Sequence, residues 1–287
     1  MTQETVWVPL PSGDRSPALV WAGELSKPLV MIWPGLGVGA SYYRPLAEEL
    51  HRRGYPVAVG ELRGHGESTA RASRSNNWGY HDLAAQDYPL TLRAVKEHLE
   101  LPMAHPTVLL THSMGGQIGV LFLARPEARE LGLRAMMGVG SGSPYLPSFP
   151  TPMRRRIRTG TLLMGGFGKV LGYWPGKIAG WDPSHYGRQA GRHMWEWGKL
   201  AWRNTYADLS GADVNYPAAL AQVKLPVLLC YFDNDDSCPE ASARSLAEHL
   251  PAAQIQCGEL AGGLGHNRWA RQPQIVVDRL EEFYAGL

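Results

Sequence analysis

Short apolar, β-branched runs alternate along the chain with longer segments whose apolar residues recur at helical spacing. Buried strands of a parallel sheet read as near-continuous apolar runs because both faces are covered, so this alternation predicts an α/β architecture: a mostly parallel sheet with helices on both faces. The opening is different. Residues 6–8 and 18–21 flank the turn-rich Pro11-Ser12-Gly13-Asp14, which predicts an antiparallel hairpin at the sheet edge.

The alternation then begins, with strands predicted at 29–33, 56–59, 107–111, 135–139, 226–231 and 254–256. Helices are predicted at 42–53, stopped at Gly54; at 83–99, kinked near Pro89; and at 117–123, 240–250 and 273–284. Residues 143–220 break the rhythm and are too long for a strand-to-helix connection. We therefore expect a core of 1–142 and 221–287 and a helical cap, or lid, inserted at 143–220. The insertion holds five of the ten tryptophans (Trp174, Trp181, Trp195, Trp197, Trp202), the basic run Arg154, Arg155, Arg156 and Arg158, and several Gly and Pro breaks. Such aromatic density can line an apolar pocket or serve as the insertion's own core. Tyr173, Trp174 and Trp195 are the expected substrate contacts. The arginines read most simply as a solvated helix face, with contact to an acidic carrier or a phosphate-bearing substrate as the alternative.

Composition narrows the field. With 44% hydrophobic and 19% charged residues, the 287-residue chain can form a sizeable ordered core. A net charge of +2 gives no electrostatic case for nucleic acid or an anionic membrane. Cys230, Cys238 and Cys257 are an odd count without a C-x-x-C pair, which suits free thiols in a reducing compartment. No secretory signal or membrane-spanning run is legible, so a cytoplasmic location without stable membrane insertion is expected. No metal site or cofactor is expected.

The chemistry lies in Thr111-His112-Ser113-Met114-Gly115-Gly116, between an apolar strand and an apolar helix. A sharp strand-to-helix turn lifts a serine hydroxyl clear of the sheet and demands small residues on either side. Gly115 meets that demand. Thr111 stands where the usual motif has glycine, which predicts a crowded and re-aimed elbow. A serine hydroxyl needs a base, and the base needs an orienting group. Asp235, flanked by Asp233 and Asp236, follows the strand at 226–231; His266 closes Gly262-Gly263-Leu264-Gly265 before the last helix. The order Ser, Asp, His follows. Backbone N–H groups of Leu36, in Trp33-Pro34-Gly35-Leu36-Gly37, and of Met114 are the expected oxyanion donors. His65 and His112 read as structural.

These residues resemble the α/β-hydrolase superfamily across nearly the whole chain outside the cap. Glu61-Leu62-Arg63-Gly64-His65-Gly66-Glu67-Ser68 is similar to that family's loop after its fourth strand, and Pro34-Gly35-Leu36-Gly37 to its oxyanion loop. Asp235 falls at the family's acid position by its distance from Pro239, although Phe232 stands where glycine is usual. Gly172-Tyr173-Trp174-Pro175-Gly176 and Trp78-Gly79-Tyr80-His81-Asp82-Leu83 resemble a bacterial subgroup of serine hydrolases and esterases with an inserted cap. The resemblance implies a hydrolytic mechanism and a mobile lid without naming the substrate; the expected reaction is hydrolysis of a carboxyl ester or thioester of a hydrophobic small molecule through an acyl-enzyme on Ser113. The alternatives are an acyltransferase or cyclase using the same acyl-enzyme, and a ligand-binding protein without turnover.

Overall fold

A computed structural model describes residues 3–178 and 180–287. Ten strands form, in chain order β1 (Glu4–Pro9), β2 (Arg15–Trp21), β3 (Leu29–Trp33), β4 (Val57–Gly60), β5 (Thr107–His112), β6 (Leu133–Val139), β7 (Tyr173–Trp174), β8 (Gln189–Ala190), β9 (Pro226–Phe232) and β10 (Gln254–Leu260). The helices are α1 (Arg44–Arg52), α2 (Tyr80–Asp82), α3 (Tyr88–His98), α4 (Met114–Leu123), α5 (Pro126–Glu130), α6 (Thr151–Leu171), α7 (Gly191–Arg203), α8 (Tyr216–Leu220), α9 (Glu240–Ala247) and α10 (Gln274–Ala285).

Eight strands make one sheet in the order β1-β2-β4-β3-β5-β6-β9-β10. The β1–β2 and β2–β4 pairs are antiparallel, and every later pair is parallel. The period-two geometry of a strand divides its side chains between two cores. Leu29, Met31 and Trp33 enter one core while Val30 and Ile32 enter the other, and Val227 and Leu229 separate from Leu228 and Cys230 in the same way. Both faces of β3, β4, β5, β6 and β9 are therefore largely dry, which is why their runs lack polar alternation, whereas the edge strand β10 keeps polar, exposed positions.

Two predicted helices differ in detail. The 42–53 helix opens as a 3-10 turn, Ala40–Tyr43, and continues as α1. The 83–99 helix is preceded by α2 and starts as a π turn, Leu83–Asp87, before α3 begins. Pro89 has no N–H to donate and its ring crowds the preceding turn, so the irregularity falls on its N-terminal side.

Between β6 and β9 the chain forms α6, the β7–β8 ribbon, α7 and α8. The glycines here do not break α6, which runs unbroken for 21 residues to a left-handed Gly172 (φ 84°). They let helices approach: a Cβ on Gly168 would lie 3.0 Å from the Gly191 backbone at the start of α7. No helix among the described residues is long and apolar enough to cross a membrane.

Candidate active site

Strand β5 ends at His112 and α4 starts at Met114, leaving Ser113 to make the whole turn at φ 50° and ψ −120°. A non-glycine residue held in such a conformation is strained, and strain of this kind gathers at functional sites. Close packing forces it. A Cβ on Gly115 would sit 2.6 Å from the Trp33 carbonyl oxygen.

Thr111 does not displace the elbow. It keeps register with Trp33 on β3 and Gly138 on β6. Its side chain lies under α4, where a Cβ on Gly116 would meet Thr111 Oγ1 at 3.1 Å and one on Gly119 would meet Cγ2 at 3.3 Å. The crowding expected around the serine is absorbed one turn along the helix, by glycines that leave room for the threonine.

Asp235 and His266 come together at the C-terminal edge of the sheet. Asp235 Oδ2 is 2.8 Å from His266 Nδ1, while Oδ1 accepts the backbone N–H groups of Ser237 (2.9 Å) and Cys238 (3.0 Å). The aspartate is buried and the imidazole is partly open. The neighbouring acids are placed elsewhere: Asp233 accepts the Gly263 N–H at 3.1 Å and Asp236 faces solvent. Asn234 clamps the same loop, accepting from Gly265 N–H (2.7 Å) and donating to the Gly263 carbonyl (3.0 Å). Trp269 Nε1 donates to the His266 carbonyl at 2.8 Å. With Nδ1–H held by the carboxylate, the free Nε2 of a neutral imidazole is the acceptor.

Ser113, Met114, Leu36 and His266 line one cavity of 780 Å³, in the size range of small-molecule sites. The Ser113 hydroxyl makes no hydrogen bond among the described residues. The Leu36 N–H also donates to no described group, and the Met114 N–H belongs to a first helical turn, where amides lack intrahelical acceptors.

Of the three aromatics expected at the pocket, only Trp174 lines the cavity. Tyr173 precedes it on β7 and points the other way, carrying Arg188 over its ring at 3.9 Å. Trp195 is 56% exposed, whereas Trp197 lines the cavity. Neighbours on a strand face opposite sides, and residues two apart on a helix do not share a face, so neither pair could act together.

The sequence reading missed Tyr43 and Gly140. Tyr43 hydroxyl accepts the Gly35 N–H (3.1 Å) and lies 2.6 Å from His112 Nδ1. Burial, followed by the nearby His266, drives the His112 pKa well below the ordinary histidine value, which keeps the ring neutral. Its ring tilts against His266 at 4.7 Å between centroids. Gly140, at φ 58°, faces the acid–base pair: a Cβ there would meet His266 Nδ1 at 3.1 Å and Asp235 Oδ2 at 3.2 Å. Gln117, next along α4, accepts from Tyr80 hydroxyl at 2.6 Å and donates to the Gly142 carbonyl at 2.8 Å. No group of three His, Cys, Asp or Glu among the described residues could hold a metal ion.

The family model of the alpha/beta hydrolase family matches residues 29–279, and the chain belongs to that family. No curated protein matches it. Among solved structures it is similar to the esterase RhEst1 from Rhodococcus sp. ECU1013 (20% identity, TM-score 0.58, all of both chains covered). It is also similar to a thermophilic esterase from Thermogutta terrifontis (17%, TM-score 0.64, 100% and 99% covered) and to carboxylesterase CesB (YbfK) from Bacillus subtilis (16%, TM-score 0.59, 100% and 93% covered). At these identities the likeness is one of fold.

Proposed function

We propose that this chain is a serine hydrolase that cleaves a carboxyl ester or thioester of a hydrophobic small molecule. The observation that carries the reading is the Asp235–His266 pair, 2.8 Å apart, whose histidine lines the cavity that also receives Ser113 from a strained strand-to-helix turn. Ser113 Oγ attacks the acyl carbon while His266 Nε2 takes its proton, and Asp235 keeps the imidazole in the tautomer that can do so. The N–H groups of Leu36 and Met114 receive the oxyanion. The tetrahedral intermediate collapses, His266 returns the proton to the leaving alcohol or thiol, and water deprotonated by the same histidine releases the acid. Oγ and Nε2 must come within hydrogen-bond reach when substrate is bound, and such contacts commonly tighten only in the complex. Segment 143–220 serves as the cap, with Trp174 and Trp197 against the acyl chain. The three free cysteines, two of them buried, suit a reducing compartment.

The test uses the purified protein and its Ser113→Ala variant, each treated with a fluorophosphonate and weighed intact. One adduct on the wild type and none on the variant is expected, together with a loss of about 10⁴- to 10⁶-fold in kcat on any ester the wild type turns over. Labelling at another residue, or equal turnover by the variant, excludes the mechanism.

A further inference from the structure

The four arginines of α6 are all exposed, as a solvated face requires, but they make different contacts. Arg154 donates from Nε to the Leu146 carbonyl at 3.0 Å and from Nη2 to the Phe149 carbonyl at 2.8 Å, tying down the turn before the helix. Arg158 lies over the Trp202 ring, 5.7 Å from its centroid. Arg155 and Arg156 pair with no carboxylate among the described residues, and both line the cavity that receives Ser113.

Helical spacing explains the division. Met153, Arg156, Ile157, Gly160, Leu163 and Met164 line the cavity at intervals of three and four, so one stripe of α6 forms the wall. Arg156 is part of that stripe, Arg155 and Thr159 border it on one side, and the rest of the stripe is apolar. No aspartate or glutamate among the described residues lines the cavity. Asp182, close in sequence to lining residues on the opposite wall, turns inward on its own loop: Oδ1 accepts from Ser184 N–H (2.9 Å) and Oδ2 from Gly187 N–H (2.8 Å).

An apolar wall ending in two guanidinium groups without counterions attracts an anion, and guanidinium matches the planar fork of a carboxylate or the face of a phosphate. Resting on the hydrolase reading above, we propose that the substrate is an acyl compound carrying a carboxylate or phosphate remote from the reacting carbonyl, with that anion seated on Arg155 and Arg156 and the chain lying along Ile157 and Met164.

Three p-nitrophenyl esters of one eight-carbon acyl chain, ending in methyl, carboxylate or phosphate, provide the test. Binding is measured calorimetrically to the Ser113→Ala protein, so the result does not depend on turnover; kcat/KM is measured in parallel on the wild type. At least one anionic ester should bind about 10-fold more tightly than the neutral one, the worth of one charge-assisted hydrogen bond, and the tighter of the two names the source of the anion. The preference should shrink between roughly 50 mM and about 500 mM salt. It should vanish when Arg155→Gln and Arg156→Gln are combined, survive in part when both become Lys, and persist in Arg158→Gln. Equal binding of all three esters overturns the proposal, as does a preference that outlasts the Gln pair or is lost equally in Arg158→Gln. Failure of the hydrolase reading is separate: it shows as absent turnover and an unlabelled Ser113, with these affinities still measurable.

Discussion

Gly140 shows how much of the site depends on atoms that are missing. At φ 58° it occupies a conformation that costs an L side chain roughly 1–2 kcal/mol, and a methyl group there would meet both His266 Nδ1 and Asp235 Oδ2. Gly140→Ala should therefore damage chemistry more than folding. The acid–base pair must give by a few tenths of an ångström, so kcat/KM should fall about 10-fold, less than the roughly 100-fold that a 1 Å misplacement costs. Steady-state kinetics beside thermal denaturation checks this: full activity in a variant of lowered Tm would mean that the pair tolerates the intrusion. The three side chains of the candidate triad could be named because the α/β-hydrolase fold carries acid and base after the nucleophile in a set chain order, and because each sits at the end of a recognisable strand or loop. Gly140 and Tyr43 were not. A glycine after a strand has many ordinary explanations, and Tyr43 meets Gly35 and His112 only because three separate segments converge. Residues 173 and 195 were chosen for aromaticity, yet the side a ring faces is set by the pairing of β7 and the packing of α7.

At the scale of elements, the join between α7 and the main sheet's helices is electrostatic as well as apolar. Glu196 on α7 accepts the Tyr80 N–H at the start of α2 (2.6 Å) and the Ser210 N–H (2.8 Å), and burial raises its carboxyl above the usual range. Gly79 makes room for it. Its φ of −123° suits any residue, but a Cβ would stand 2.4 Å from Glu196 Oε2. Gly79→Ala should push the carboxylate off the buried Tyr80 amide and the partly exposed Ser210 amide and cost about 1–3 kcal/mol. Since Glu196→Ala removes the same bonds, the double variant should be well short of the sum of the two singles in urea denaturation. Additivity within about 0.5 kcal/mol would show that the methyl group acts elsewhere. The middle of the sheet was readable because its strands are buried on both faces and appear as apolar runs. The π turn at 83–87 and the unbroken course of α6 were not, because a proline's effect on the turn before it and the role of Gly168 against Gly191 are decided by what packs alongside.

Taken whole, the molecule buries histidines in an uncharged state, and this sets its response to acid. Burial lowers His65 and His249 to about 4 and His193 to about 3, and takes His112 well below its ordinary value. The unfolded chain protonates these groups near pH 6.5 and the folded one refuses to, so their contribution to stability is present above that pH and is lost as the pH falls toward 4. Buried carboxyls oppose this. Glu61 is raised to about 7 by burial, and Glu196 and Asp87 are raised for the same reason, so each favours folding below its unfolded pKa and loses that contribution as the pH rises through its folded one. Asp87 stays paired with Arg63, which leaves four histidines against two fully effective carboxyls. Below pH 4.5 the balance tips further, because Glu49 and Asp213 are held down to about 2, chiefly by hydrogen bonds from Arg52 and Arg125, and their contribution disappears as they protonate. The net excess of protons taken up on unfolding predicts that stability falls as the pH drops from about 6.5 to about 4.5, and more steeply beneath. Urea midpoints at three pH values spanning that window should decline at every step. A midpoint that holds or rises on acidification would mean that the buried carboxyls outweigh the histidines, and that Asp87 takes up a proton despite Arg63.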